Sequence, residues 1–135
     1  MPTKPADPRG GGEAALVMSL PANTAYVSVA RAAAAGLASM LDWTLDELDD
    51  LRIAVDEASG MLLRAGASDG LHLECRRDGD HGLAVSLGAS TGEAPLPADS
   101  FGWTVLRAVS DDAQVHTDGA TTSITVHKTG HSEQR

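Results

Sequence analysis

Apolar residues recur along the first third of the chain at helical spacing. Val27, Ala30, Ala34, Leu37 and Leu41 step by three, four, three and four, the period of a helix with one buried side. Asn23 stands where an N-cap would. The Ala32–Ala35 block favours helix and allows a neighbour close approach, while Gly36 costs about 1 kcal/mol relative to alanine. A second stripe follows at Leu48, Leu51, Val55, Ala58 and Leu62. Thr44 and Glu47 have the spacing of a capping box, Asp46 and Glu47 suit the positive end of the helix dipole, and Gly66 can end the helix.

Elsewhere the period shortens to two. Glu13–Leu20 reads as a strand stopped by Pro21. Leu71, Leu73 and Cys75 alternate with His72, Glu74 and Arg76, the pattern of a half-buried strand. Asp78-Gly79-Asp80 turns the chain into Leu83–Leu87, which predicts a hairpin. Thr91–Asp99, with Gly92, Pro95 and Pro97, reads as a loop, and Ser100 as the cap of a short helix carrying Trp103, Leu106 and Val109. Ala113–Thr117, an Asp118-Gly119 turn and Thr121–His127 form a last hairpin rich in Thr, Val and Ile. The order β-α-α-β-β-α-β-β predicts an α/β two-layer sandwich, a largely antiparallel sheet covered on one face by helices. One domain over 13–128 is expected between a disordered leader, 1–12, with three Pro and three Gly, and a flexible polar tail, 129–135.

Composition narrows the possible partners. A chain of 135 residues that is 42% hydrophobic can bury a sizeable core, and its four aromatics, Tyr26, Trp43, Phe101 and Trp103, leave that core to Ala, Leu and Val. A net charge of −9 argues against direct nucleic-acid binding, which needs clustered Lys and Arg, and suits a partner with a basic face. No apolar run approaches the ~20 residues of a membrane span, and the N-terminus lacks the apolar stretch of a secretory signal. Cys75 is the single cysteine, so no intramolecular disulfide forms and a reducing cytosol is the expected compartment.

Simple catalytic constellations are missing. His72, His81, His116, His127 and His131 include no i, i+4 pair on an expected helix, and a lone cysteine adds no metal-ligand pair. Gly88-Ala89-Ser90-Thr91-Gly92 lacks the strand–turn–helix setting of a nucleophilic serine. Cys75 points with the apolar side of its strand, as a buried inert thiol would. Glycine-bearing loops, Gly88–Gly92 and Phe101-Gly102-Trp103, flank the short helix. They read either as ordinary turns or as backbone that approaches phosphate.

One set of motifs is more specific. Leu20-Pro21, the helix bearing Arg31, Leu41-Asp42-Trp43-Thr44 with Glu47, and Ala54-Val55-Asp56-Glu57-Ala58 follow in order. Phe101-Gly102-Trp103 with Leu106-Arg107, then Asp111-Asp112-Ala113-Gln114-Val115, come later. Together, over about residues 13–128, they resemble the anti-sigma-factor serine kinases, which have the histidine-kinase-type ATPase fold. The reduced motifs are most similar to the actinobacterial branch, and eight Arg to two Lys agree with a GC-rich genome. The resemblance implies a cytoplasmic anti-sigma factor that sequesters an alternative sigma factor, is released by a STAS-type anti-anti-sigma partner, and forms a homodimer when free.

The departures from the family pattern fall on the nucleotide site. The family's magnesium-binding Asn should follow Glu57 by one helical turn, but Met61 stands there, and a thioether is no ligand for that hard ion. After Leu83–Leu87 the adenine-reading Asp is missing, and the Gly-rich phosphate loop is reduced to Phe101-Gly102-Trp103. Met61, Gly88, Gly102 and Thr121 are what remain to line a nucleotide. Glu57 is either a relic of the general base or an acid on the polar helix face that pairs with Arg64 or Arg31. ATP and magnesium are therefore not expected as working cofactors, and a pseudokinase acting by binding is expected. The resemblance puts partner contacts on the first helix at Val27, Arg31 and Ala34, where a guanidinium beside small residues can fork onto a carboxylate; the bland alternative is an idle surface arginine. Two rival readings stay open: an active ATP-dependent serine kinase of the anti-anti-sigma factor, and a nucleotide- or metabolite-sensing regulator.

Overall fold

Capping geometry sets where the helices begin. The computed structural model describes residues 13–92, Leu96 and 101–130. Its elements are β1 (Ala14–Leu20), α1 (Val27–Ala38), α2 (Leu45–Arg64), β2 (Leu71–Asp78), β3 (Gly82–Ser90), α3 (Phe101–Val109), β4 (Asp112–Asp118) and β5 (Thr121–Thr129). Asn23 caps one turn earlier than the helical period suggests: its side chain accepts from the Ala25 N–H at 2.8 Å and starts a 3-10 turn, Thr24–Tyr26, that leads into α1. The capping box of α2 is complete, with Glu47 N donating to Thr44 Oγ1 at 3.1 Å and Thr44 N to Glu47 Oε1 at 2.8 Å. Gly66, at φ +102°, supplies the left-handed residue that closes the helix.

The stripe on α2 is buried as its spacing requires, and α1 meets α2 through Ala30, Ala34, Ala35 and Ala38. Short side chains there let the two helix backbones lie close. The α-helical part of this apolar segment has 12 residues, rising about 18 Å at 1.5 Å each, against the ~30 Å of a bilayer core.

The five strands lie in the order β1-β2-β3-β5-β4, every pair antiparallel. Leu71, Leu73 and Cys75 of β2, Leu83, Val85, Leu87 and Ala89 of β3, and Ile124 and Val126 of β5 form one apolar floor beneath the helices. Register aligns it, with Leu73 opposite Leu87 and Leu87 opposite Ile124. The alternate residues, among them His72, Glu74, Ser86, Thr125 and His127, face the side without helices.

Four strands run further than expected, β2 to Asp78, β4 by one residue at each end, and β3 and β5 at their far ends. β3 continues through Gly88 and Ala89 to Ser90, because a central strand has ladder partners on both sides, His72 and Ser123 for Gly88. β5 reaches Thr129, paired with Gly82, one residue past the expected domain end at 128. Beyond it the Gly130 N–H donates to the His81 carbonyl at 2.8 Å, and the Trp43 indole donates to the same oxygen at 2.7 Å. His81 Nδ1 lies 3.1 Å from the Leu41 carbonyl, so the β2–β3 turn, the α1–α2 corner and the end of β5 are tied together. The leader 1–12, the Ser100 cap, the tail residues 131–135 and most of the Thr91–Asp99 loop lie outside the described residues.

Candidate functional site

Neighbouring residues on a helix project about 100° apart, so Asp56 and Glu57 on α2 serve different partners. Asp56 faces α1, and both its carboxylate oxygens accept from Arg31 Nη1 at 2.8 Å. Glu57 accepts from Arg64 Nη2 at 3.1 Å, two turns along the same helix. Met61, one turn beyond Glu57, is 5% exposed.

α3 lies on α2 at this point, with Gly102 facing Met61 and Glu57. A methyl group on Gly102 would sit 2.8 Å from Met61 Sδ and 2.9 Å from Glu57 Oε2. Trp103 and Leu106, which follow this contact in the sequence of α3, are buried.

Of the four expected nucleotide-lining residues, Met61 and Gly102 come together, beside Glu57, and Gly88 and Thr121 do not. Strand parity removes Gly88: Leu87 and Ala89 face the helices, so Gly88 lies on the opposite face, beside Ser123. Thr121 is exposed at the start of β5, whereas its neighbour Thr122 is buried, with Oγ1 2.9 Å from Thr91 Oγ1. The signal was present in Thr122, Ile124 and Val126, which share one parity and one face.

Ala34 also needs correction. It is fully buried in the core, so it offers no surface to a partner. Val27 is half-buried and packs on the same core. The outward side of α1 carries Ser28, Val29, Ala32 and Gly36, with Arg31 at the seam with α2. Asp56 is the residue that sequence reasoning missed: it, not Glu57, holds Arg31.

Burial, with the charge of Glu74 adding, pushes the Cys75 thiol up to about 12. His72 Nδ1 lies 3.0 Å from Ser19 Oγ on the helix-free face, and His127 Nδ1 lies 3.9 Å from Asp78 Oδ2. Among the described residues no three His, Cys, Asp or Glu side chains converge as metal ligands.

A scan against models of known protein families finds no match. The chain is 30% identical over 122 residues to the anti-sigma-F factor RsbW of Mycobacterium tuberculosis, covering 88% of this chain and 70% of the relative. A stretch of 41 residues is 46% identical to the serine-protein kinase RsbW of Bacillus subtilis, 30% of this chain and 26% of that one. The crystal structure of RsbU and RsbW domains from M. tuberculosis superposes with a TM-score of 0.70 over 85% of this chain, at 17% identity. At that identity the likeness shows the fold, and this chain spans 32% of that longer one.

Proposed function

We propose a binding role for this chain, which belongs to the anti-sigma-factor serine kinase family. In this reading it is a cytoplasmic anti-sigma factor that sequesters an alternative sigma factor and is released by a STAS-type anti-anti-sigma partner. It forms a homodimer when free and touches no nucleic acid itself.

The observation that carries the proposal is the seat of Gly102 on Met61 and Glu57. Magnesium requires oxygen ligands in near-octahedral geometry, and Met61 offers sulfur. Glu57 shares its charge with Arg64. Phosphoryl transfer depends on metal and positioned charge for nearly all its acceleration, so these residues do not fit ATP with magnesium.

Binding rests on the outer side of α1. The Arg31 and Asp56 side chains are 37% and 44% exposed, so their ion pair contributes at most about 1 kcal/mol in water. A partner carboxylate can take over a guanidinium that Asp56 already holds in place, at small cost. The net charge of −9 steers the domain toward a basic sigma-factor surface.

The test pairs two measurements. Thermal shift with millimolar MgATP is expected to leave the melting point unchanged, and labelled ATP to leave a STAS partner unlabelled, while the sigma factor co-purifies. The kinase name of the B. subtilis relative favours the opposite result. Stabilisation approaching ~2.7 kcal/mol at a hundredfold excess over Kd, with label on the partner, would establish an active kinase instead.

A further inference from the structure

The sheet has two edges, and they differ. The β1 ladder has a register break between Ala14 and Leu16. β4 pairs with β5 without a break from Asp112↔His127 to Asp118↔Thr121, and among the described residues nothing pairs with its other side. Six of its seven residues are exposed. Native edge strands are usually blunted by Pro, Lys, a bulge or an inward-pointing charge, and β4 has none of these.

Its helix-facing residues are Ala113, Val115 and Thr117, which lie opposite Val126, Ile124 and Thr122 of the inner face. Val115 is nevertheless 46% exposed. Beside it is a cavity of about 160 Å³ between α3 and β4, lined by Leu96, Trp103, Arg107, Ala113 and Val115. The Arg107 guanidinium sits 5.8 Å from the Trp103 ring centroid. An apolar cavity of roughly 150 Å³ holds one benzene, so this space suits a single apolar side chain and is far too small for a nucleotide.

Charge selects the occupant. The charges on β4 are Asp112 and Asp118, one at each end of the strand. Two copies of this chain paired antiparallel about Val115 would set Asp112 against Asp118 twice, and like charges directly opposite destabilise a ladder. A segment with a basic residue at each end reverses both terms.

We propose that β4 is a strand-addition site for an extended segment of another protein, with Lys or Arg opposite Asp112 and Asp118 and an apolar side chain opposite Val115 that fills the α3–β4 cavity. Backbone hydrogen bonds along the edge supply affinity, and the cavity with the two carboxylates supplies register and specificity. This surface is separate from the α1 face invoked above and stands whether or not that face binds a sigma factor.

The probe is a labelled heptapeptide, acetyl-Lys-Thr-Ser-Ile-Thr-Val-Lys-amide, compared with its Glu-ended counterpart by fluorescence polarisation on the full chain. Amide exchange by NMR reports where it binds. The Lys-ended peptide is expected to protect β4 amides and to bind at least about tenfold tighter than the Glu-ended one. Asp112→Lys with Asp118→Lys should reverse that preference, which a merely structural role for the two carboxylates would not do. Val115→Asp should remove binding while the circular dichroism spectrum is kept; should that variant fail to fold, the charge reversal alone decides. Equal affinity for both peptides, no binding at millimolar peptide, or protection away from β4 would overturn the proposal. So would a wild-type dimer that Val115→Asp converts to monomer, since the edge would then pair with itself.

Discussion

Gly36→Ala and Gly102→Ala make the same chemical change in two helices and are expected to move stability in opposite directions. In a helix interior alanine is favoured over glycine by about 1 kcal/mol. At Gly36, on the exposed side of α1, nothing lies within 4 Å of the added methyl, so that gain is unopposed. At Gly102 the methyl meets Met61 Sδ at 2.8 Å, Glu57 Oε2 at 2.9 Å and Met61 Cγ at 3.0 Å, well inside the ~3.5–4.0 Å of optimal contact. The glutamate can swing, since its side chain is 24% exposed. Met61, 5% exposed within the core, has no such exit.

Overpacking of this kind costs about 1–3 kcal/mol; Gly102 is the second residue of α3 and gains less than the ~1 kcal/mol of a helix interior, so Gly102→Ala should lose about 1 kcal/mol or more net. Urea unfolding of both single variants measures the signs. Met61→Ala supplies the internal control: alone it should cost about 2–5 kcal/mol, yet it removes the atoms that clash, so the double variant should be about 1 kcal/mol more stable than the sum of the singles. Additivity within ~0.5 kcal/mol, or Gly102→Ala stabilising as Gly36→Ala does, would show that α3 does not rest on α2.

Three other outcomes test other parts of the structure. Gly130→Ala drives a methyl into the Trp43 ring and should cost about 1–3 kcal/mol with a change in Trp43 fluorescence; a thermal melt like that of the wild type would refute the packing. Asp56→Ala should change stability by no more than about 1 kcal/mol, whereas Arg31→Glu should weaken sigma-factor capture by at least ~2 kcal/mol in a calorimetric titration; unchanged affinity in the second variant removes α1 from the interface. The Cys75 thiol titrates near 9.0 when unfolded and about 12 when folded, so the native state keeps a proton that the unfolded state releases. Stability should therefore be unaffected by this group below about pH 9 and fall above it by up to ~1.4 kcal/mol per pH unit, a slope that Cys75→Ala must lose in urea titrations.

Features written in neighbouring residues were legible in the chain. Thr44 and Glu47 define the start of α2 by themselves, and the Leu48–Leu62 stripe tells which side of it is buried. What failed was information carried by distant partners. Gly88 and Gly92 bracket a stretch that looks like a loop, yet β3 is held to Ser90 by ladders from both neighbours. The helical period from Val27 to Leu41 already put Ala34 on the buried side of α1, so its place among the partner contacts rested on the resemblance alone, while Ala35, outside that stripe, is buried as well. Arg31 finds Asp56 across 25 residues, and Glu57 was the more conspicuous acid only because of the motif around it.

Met61→Asn puts back the residue type that the family's metal site uses and is expected to restore nothing. Met61 is buried, so the new carboxamide loses its water, and without full hydrogen bonding that costs about 1–3 kcal/mol. A metal-bound triphosphate at this position would also need Glu57 released from Arg64 and the α3 backbone lifted from α2, because even a methyl group on Gly102 would lie within 3 Å of both side chains. One substitution changes the ligand atom and leaves both obstructions in place. The variant should be measurably less stable than the wild type in urea and should transfer no phosphate from labelled ATP to a STAS partner. Turnover above background would mean that the α2–α3 contact yields to nucleotide, and that the chemistry of the site depends on Met61 and not on the closure around it.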